Sequence, residues 1–256
     1  MSGKTTDAVL RVIDEMHRRL DQELTIDDMA RTAMFSKFHF TRIFAEVTGT
    51  SPRRFLSALR LQRAKHFLLS TELGVAEISN KVGYSSVGTF SSRFKLCVGV
   101  SPSRFRELGG DGSELYTAPA TDSVLGERIA LRGRIVLPGD RALGPVFVGL
   151  FPSSIPQGRP AQFLVMDGPG PFELTDVPAG TWHVLAHSAP YGSLADPMVQ
   201  AGGAPDTLSV GRHGPITAQA GVLLMPADIV LRPSDALDPP VLLAVPNSAA
   251  GRAFAA

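Results

Sequence analysis

Two short stretches carry residues whose types and spacing suit the edges of base pairs. In the first, Phe38, Thr41, Arg42 and Ala45 recur at helical spacing, while Phe40, Ile43, Phe44 and Val47 recur on the opposite side. The all-apolar set is expected to face a core, which leaves the other set to solvent. A guanidinium at Arg42 can bond two acceptors of guanine, Thr41 can meet a base edge or a thymine methyl, and Phe38 can pack on methyls or sugars. Lys37 and His39 flank that face and are placed to approach phosphates. The competing reading makes Phe38 a core aromatic and Arg42 an ordinary surface charge.

In the second stretch, Val87, Phe90, Phe94 and Cys97 form the apolar stripe, and Gly88, Ser91, Ser92 and Lys95 fall opposite. The outward set here is small. Gly88 lets a backbone come close, and Ser91 and Ser92 can bond phosphate or a base edge. Arg93 lies beside the core stripe, so an internal or phosphate partner is expected for it. The first stretch is therefore expected to specify sequence and the second to anchor.

Each stretch belongs to a larger pattern: a short amphipathic helix, a tight break, a serine and a second helix. Thr25–Val47 reads TIDDMARTAMFSKFHFTRIFAEV and Gly74–Val98 reads GVAEISNKVGYSSVGTFSSRFKLCV. Two helix-turn-helix units in one chain suit successive major grooves. Before them, Val9, Ile13, Met16 and Leu20 predict a first helix. Thr25 is expected to cap the second helix, with Asp27 and Asp28 in its first turn, and Ser36 to cap the third. Pro52 suits the first turn of a helix running to about Leu69, and Ser101-Pro102 opens a short last helix. A helix of 18 residues from Pro52 to Leu69 would span about 27 Å. Successive grooves on one DNA face lie about 34 Å apart, so such a helix can hold two readers near that separation, with DNA bending to absorb the rest.

Charge is divided in the same sense. Residues 1–108 hold 17 Lys and Arg against 11 Asp and Glu, and the remainder holds 8 against 13, although the whole chain nets only +1. A basic first half and an acidic second half fit a nucleic-acid binder joined to a region that does not bind. The 256 residues suffice for two domains. No apolar run approaches the length of a membrane span, the opening residues lack a signal-peptide pattern, and lone Cys97 has no disulfide or zinc partner. A cytoplasmic protein is expected.

These residues resemble the AraC/XylS family of transcription regulators over about Ala8–Glu107. The most specific segment is AEISNKVGYSSVGTFSSRFKLCVGVSPSRFRE. The first unit also matches, including the Gly-x-Ser-Pro of Gly49–Pro52 that returns at Gly99–Pro102. The resemblance implies a seven-helix domain, binding to promoter DNA and activation through RNA polymerase. It carries base-contacting roles to Phe38, Thr41 and Arg42, and to Val87, Gly88, Ser91 and Ser92. Many members have long polar residues near 87, 88 and 92, where this chain has Val, Gly and Ser. Here the DNA module also comes first, and the cupin-like sensor of sugar-responsive members is absent.

Residues 108–127, rich in Gly, Ser, Thr and Pro, read as a linker. Beyond them LRGRIVL, PVFVGLF, AQFLVMD, PFELTDV, TWHVLAH, DIVLRP and VLLAV are short apolar or alternating runs, the pattern of an antiparallel β-sandwich. GRIVLPGD and GPFELTDVPAGTWHVLA resemble carboxypeptidase-regulatory-like or transthyretin-like sandwiches. The expected architecture is thus multidomain α plus β: an all-α double helix-turn-helix domain of seven helices (1–107), a linker (108–127) and an antiparallel β-sandwich (128–256). Residues 189–206 read as a long loop, with Tyr191 and Trp182 as candidate contacts and a core place favoured for Trp182.

Chemistry in the second half is sparse. His183 and His187 start about 13 Å apart on one extended strand, too far to share a zinc ion. No Gly-x-Ser-x-Gly elbow, phosphate loop or paired-carboxylate motif is present. No catalytic residue, cofactor or metal is expected. The β region is expected to regulate the DNA module by binding a small effector or a protein, or to mediate interaction. The alternatives are a binding protein in which the DNA module is accessory, a dimerising appendage, and a hydrolase of transthyretin-like fold.

Overall fold

The structure is a computed structural model, and it describes residues 3–112, 129–139, 144–188 and 208–244. Most of the expected linker and the whole of the expected 189–206 loop, Tyr191 included, lie outside the described residues.

Seven helices come first: α1 (Gly3–Arg18), α2 (Ile26–Ala33), α3 (Lys37–Thr48), α4 (Pro52–Ser70), α5 (Val75–Lys81), α6 (Val87–Val98) and α7 (Pro102–Glu107). They form two units around two cores. The first core joins Val9, Ile13 and Met16 of α1 to Met29 of α2 and to Phe40 and Phe44 of α3. The second joins Ile78 of α5 to Phe90 and Phe94 of α6 and Phe105 of α7. Helix α4 serves both, because Phe55, Leu56 and Leu59 enter the first core and Leu61, Ala64 and Leu68 the second. One helix of 19 residues, about 28 Å long, thus ties the units together.

The caps explain the boundaries. Thr25 makes a reciprocal capping box with Asp28 at the start of α2. Ser86 and Ser101 accept backbone N–H bonds at the starts of α6 and α7, but Ser36, expected to cap α3, makes no such bond. Both recognition-type helices end on a glycine in the left-handed region, Gly49 at φ 77° and Gly99 at φ 104°. That geometry accounts for the glycine of each Gly-x-Ser-Pro, and the proline that follows starts the next helix.

Among the described residues the C-terminal region holds eight strands: β1 (Leu131–Val136), β2 (Val146–Phe151), β3 (Phe163–Met166), β4 (Pro171–Leu174), β5 (Gly180–Ser188), β6 (Ser209–Ala218), β7 (Ile229–Val230) and β8 (Arg232–Pro233). They form a three-stranded sheet in the order β4-β1-β7 and a five-stranded sheet in the order β3-β2-β5-β6-β8. Leu131, Ile135, Phe172 and Leu174 of the first sheet share a core with Val146, Val148, Leu150, Val184 and Ala186 of the second. The pairing is antiparallel except between β1 and β7, which are parallel. That departs from the all-antiparallel expectation, and the cause is topological. The chain reaches β7 by crossing from β6 in the other sheet, not through a hairpin, and only a hairpin forces antiparallel neighbours.

The five-stranded sheet is covered on both faces, so β2 is buried at every position. Its second face buries Phe147, Phe151 and Leu185 against Val241 and Leu243. The segment VLLAV, expected as a strand, belongs to no sheet in Val241–Ala244. It is an irregular strap with two buried sides. Val241 and Leu243 enter the sheet's outer core, while Leu242 and Ala244 enter the core of the second helical unit.

Candidate nucleic-acid interface

Helix α3 is built as its spacing predicts. Phe40 and Phe44 are fully buried, Ile43 is buried, and Phe44 meets Phe40 and Phe55 edge to face. Packing those rings inward turns the opposite face out. Phe38 is 87% exposed, which excludes the core-aromatic reading for it. A large apolar ring held in water on a polar helix is a cost that a contact surface would recover.

Around it, Lys37, His39 and Arg42 are exposed, and Thr41 is half-buried. The Arg42 Nη2 lies 3.5 Å from the His39 Nδ1. Arg42 therefore keeps most of its donors for an outside acceptor. Lys37 pairs with Asp27 at 3.0 Å, an exposed bridge of small net strength that a phosphate can replace. The Thr41 hydroxyl donates to the Lys37 carbonyl at 2.9 Å. Its methyl and its lone pairs remain to contact a ligand.

Helix α6 repeats the scaffold with a different face. Phe90 and Phe94 are fully buried, Cys97 is buried, and Phe94 meets Phe105 edge to face. Gly88, Ser92 and Lys95 are exposed and Ser91 is half-buried. Val87 is 38% exposed, so its expected place in the core stripe is corrected. It is the first residue of the helix, where no preceding turn lies beneath its side chain. Val87 thus joins the outward set. An added Cβ at Gly88 would meet only the Ser86 Oγ, at 3.7 Å, so the helix itself does not require glycine there.

Several basic groups that the composition counts are internal. Arg60 donates to the carbonyls of Leu20 and Gln22, closing the end of α1. Arg106 does the same for Leu68, Thr71 and Leu73 at the end of α4. Lys65 is fully buried, donates to the carbonyls of Leu242 and Leu243 at 3.3 Å, and lies 5.6 Å from the Phe105 ring. No local signal marked Lys65, whose partners lie 177 and 178 residues away in sequence.

The sulfhydryl of Cys97 is pushed above its ordinary range by burial, against the pull of Arg93 and Arg54, and so is held as an inert thiol. In the β region His183 and His187 occupy different settings. His183 is half-buried near Arg212. His187 is buried against the Phe147 ring, its Nε2 has no partner among the described residues, and burial helped by the Lys65 cation lowers its pKa to about 4. Trp182, favoured for the core, is half-buried against it, and its indole donates to the Pro178 carbonyl at 2.8 Å. Among the described residues no group of three His, Cys, Asp or Glu could hold a metal ion. None of the described helices is long and apolar enough to cross a membrane.

Two capped helix-turn-helix units on a shared helix, each with a buried phenylalanine pair and an exposed opposite face, define a double helix-turn-helix protein. A family model described as a helix-turn-helix domain matches residues 11–108. The chain is 35% identical over 101 residues to the transposon Tn10 TetD protein of Escherichia coli, covering 40% of this chain and 73% of that protein. It is 32% identical over 107 residues to the Msm operon regulatory protein of Streptococcus mutans, covering 41% of this chain and 38% of that protein. Over 87 residues it is 32% identical to the HTH-type transcriptional activator AarP of Providencia stuartii, covering 34% of this chain and 64% of that protein. The chain belongs to the AraC-type helix-turn-helix family. Among solved structures, an AraC-type regulator from Chromobacterium violaceum aligns at 25% identity and a TM-score of 0.40, over 42% of this chain and 96% of that one. Every stretch of the chain named in these relationships lies in its helical part or covers less than half of its length.

Proposed function

We propose that the chain is a sequence-specific DNA-binding transcription regulator, and an activator, that lays α3 and α6 in successive major grooves of promoter DNA. The single observation that carries this reading is the outward face of α3. Phe38 stands 87% exposed beside Arg42 and Thr41, on a helix whose other side is locked by Phe40 and Phe44. Phe38, Thr41 and Arg42 read bases, and Lys37 meets a phosphate. Val87, Gly88, Ser91 and Ser92 bring α6 close to the second groove, and Lys95 adds a phosphate contact. The family supports the reading, since relatives carry names such as transcriptional activator and operon regulatory protein.

In this reading residues 1–107 are the DNA-binding module and residues 108–127 the linker. Residues 128–256 form a β-sandwich of carboxypeptidase-regulatory-like or transthyretin-like type that regulates the module or mediates interaction. RNA polymerase is the partner in activation, the protein works in the cytoplasm, and it catalyses no reaction. The test is titration of the full chain with duplexes enriched from a randomised library, repeated as salt is raised. Affinity falling about 10-fold or more between 50 and 200 mM salt is expected from phosphate contacts at Lys37 and Lys95 alone, and more steeply with each further contact. A flat salt response, or no enriched duplex, overturns the reading.

A further inference from the structure

The C-terminal region touches the ends of both reading helices, and one loop reaches both of them. Residues 152–162 connect β2 to β3. From this loop the Ser154 hydroxyl donates to the carbonyl of Gly49, the cap of α3. Four residues on, the Gly158 N–H donates to the carbonyl of Cys97, in the last turn of α6. These carbonyls are among those that a helix leaves without internal partners, and donors there also complement the negative end of the helix dipole.

The same loop is tied to the strap. The Leu242 N–H donates to the Pro156 carbonyl at 2.8 Å, and the Ala244 N–H donates to the Val98 carbonyl at 3.2 Å. Lys65 of α4 holds the strap from the other side. Contact at both helix ends is close. A Cβ added to Gly158 would stand 2.9 Å from the Leu96 carbonyl oxygen, and one added to Gly49 would stand 2.6 Å from Arg212 of β6.

We infer that the β2–β3 loop is a cross-brace that fixes the separation and relative rotation of the two reading helices, with Ser154 and Gly158 as positioning residues for two-groove DNA recognition. The inference rests on the proposed DNA-binding reading and deepens it. Without the loop, the two units are joined chiefly by α4, whose flexing would let them adjust to differently spaced half-sites. With it, both helices hang from one short piece of chain. A preorganised pair binds the matched spacing without an ordering cost and rejects a mismatched one. Neither residue needs to touch DNA, and none of the outward residues of either helix is buried while the brace is in place.

The experiment uses the full chain and a bipartite duplex that it enriches from a randomised library. A second duplex has one base pair inserted between the half-sites, which moves them about 3.4 Å apart and turns one by about 34–36°. The braced chain is expected to lose about 10-fold or more in affinity on the insertion. The Ser154→Ala, Gly158→Ala variant is expected to lose only about 3-fold, with unchanged affinity for duplexes carrying a single half-site. Ser154→Ala alone, which removes one hydroxyl at a half-buried position, is expected to fall between the two and guards against misfolding of the double variant. An unaltered spacing penalty in both variants overturns the brace. So does an equal loss on single half-sites, which would mean that the loop supports the fold and not the spacing. Failure of the DNA-binding reading has a separate signature: no duplex is enriched, or Arg42→Ala binds the enriched one as tightly as the parent chain.

Discussion

The two helix-turn-helix units share a scaffold and differ in what they show to solvent and in what closes their cores. Each has a buried phenylalanine pair, Phe40 and Phe44 in α3 and Phe90 and Phe94 in α6, and each ends on a left-handed glycine before Ser-Pro. On their reading faces, α3 presents an aromatic ring, a guanidinium and a lysine, while α6 presents small side chains and one lysine, with Leu96 exposed in its last turn. Inward, the first core is closed by its own helices with Leu237 at its edge, whereas the second takes in Leu242 and Ala244 of the strap. Buried rings and caps set where a reading helix lies. The opposite face sets what it reads, and the two are free to diverge.

The largest test of the difference concerns the cores. Leu242→Ala is expected to cost about 2–5 kcal/mol in urea unfolding, the range for a large-to-small change at a fully buried site. The comparison sharpens if amide exchange rises in α5–α7 and stays slow in α1–α3, and it breaks if both units loosen alike.

Acid should act on the same side of the molecule. His187 is held at a pKa of about 4, against 6.5 when unfolded, so the folded state favours the neutral ring. Its stabilising share is therefore full above pH 6.5 and is lost as pH falls towards 4, a change on the order of 3 kcal/mol. His187→Phe is expected to flatten unfolding stability over that window, because the ring stacks on Phe147 and Nε2 has no partner among the described residues to lose. A variant with the parent's pH slope would assign the acid sensitivity elsewhere.

The faces can be separated by a pair of substitutions. Arg42→Ala is expected to weaken binding to the enriched duplex by about 1–3 kcal/mol and to relax sequence preference at one position, whereas Ser92→Ala falls well below that. The reverse ranking in a binding-site selection would undo the assignment of reading to α3 and anchoring to α6. The smallest effect lies at the helix starts. Thr25→Ala removes the side-chain arm of a capping box, leaving the backbone N–H of residue 25 to bond Asp28, and should cost about 1 kcal/mol, while Ser86→Ala removes one bond of 3.4 Å and should cost less.

Much of the helical half was legible because its contacts are local. The two stripes of α3, one on each side, follow from spacing alone, and Phe38 falls outward as soon as Phe40 and Phe44 are assigned to a core. Val87 was misplaced because stripe spacing says nothing about a helix's first residue, where cover runs out. Ser36 has the residue type of a cap without its bond. In the β half, β6 carried a weak signal because Gly211, Gly214 and Pro215 interrupt it. VLLAV read as a strand since apolar residues on alternate sides imply two covers. Both covers exist, but one of them is a helical unit more than 130 residues earlier in the chain. Cover supplied from so far away leaves no local trace, and the loop that reaches Gly49 and Cys97 was invisible for the same reason.

The inward-turned cations change how the molecule's charge should be judged. Lys65 is sealed beneath the strap, and Arg60 and Arg106 close the ends of two helices, so none of the three is at liberty to displace ions from a polyanion. The excess of +6 in the first 108 residues is thus a poor guide to the number of counterions released on binding. Selection for tighter or looser attachment has a short list of side chains to work on, and Lys37 and Lys95 head it.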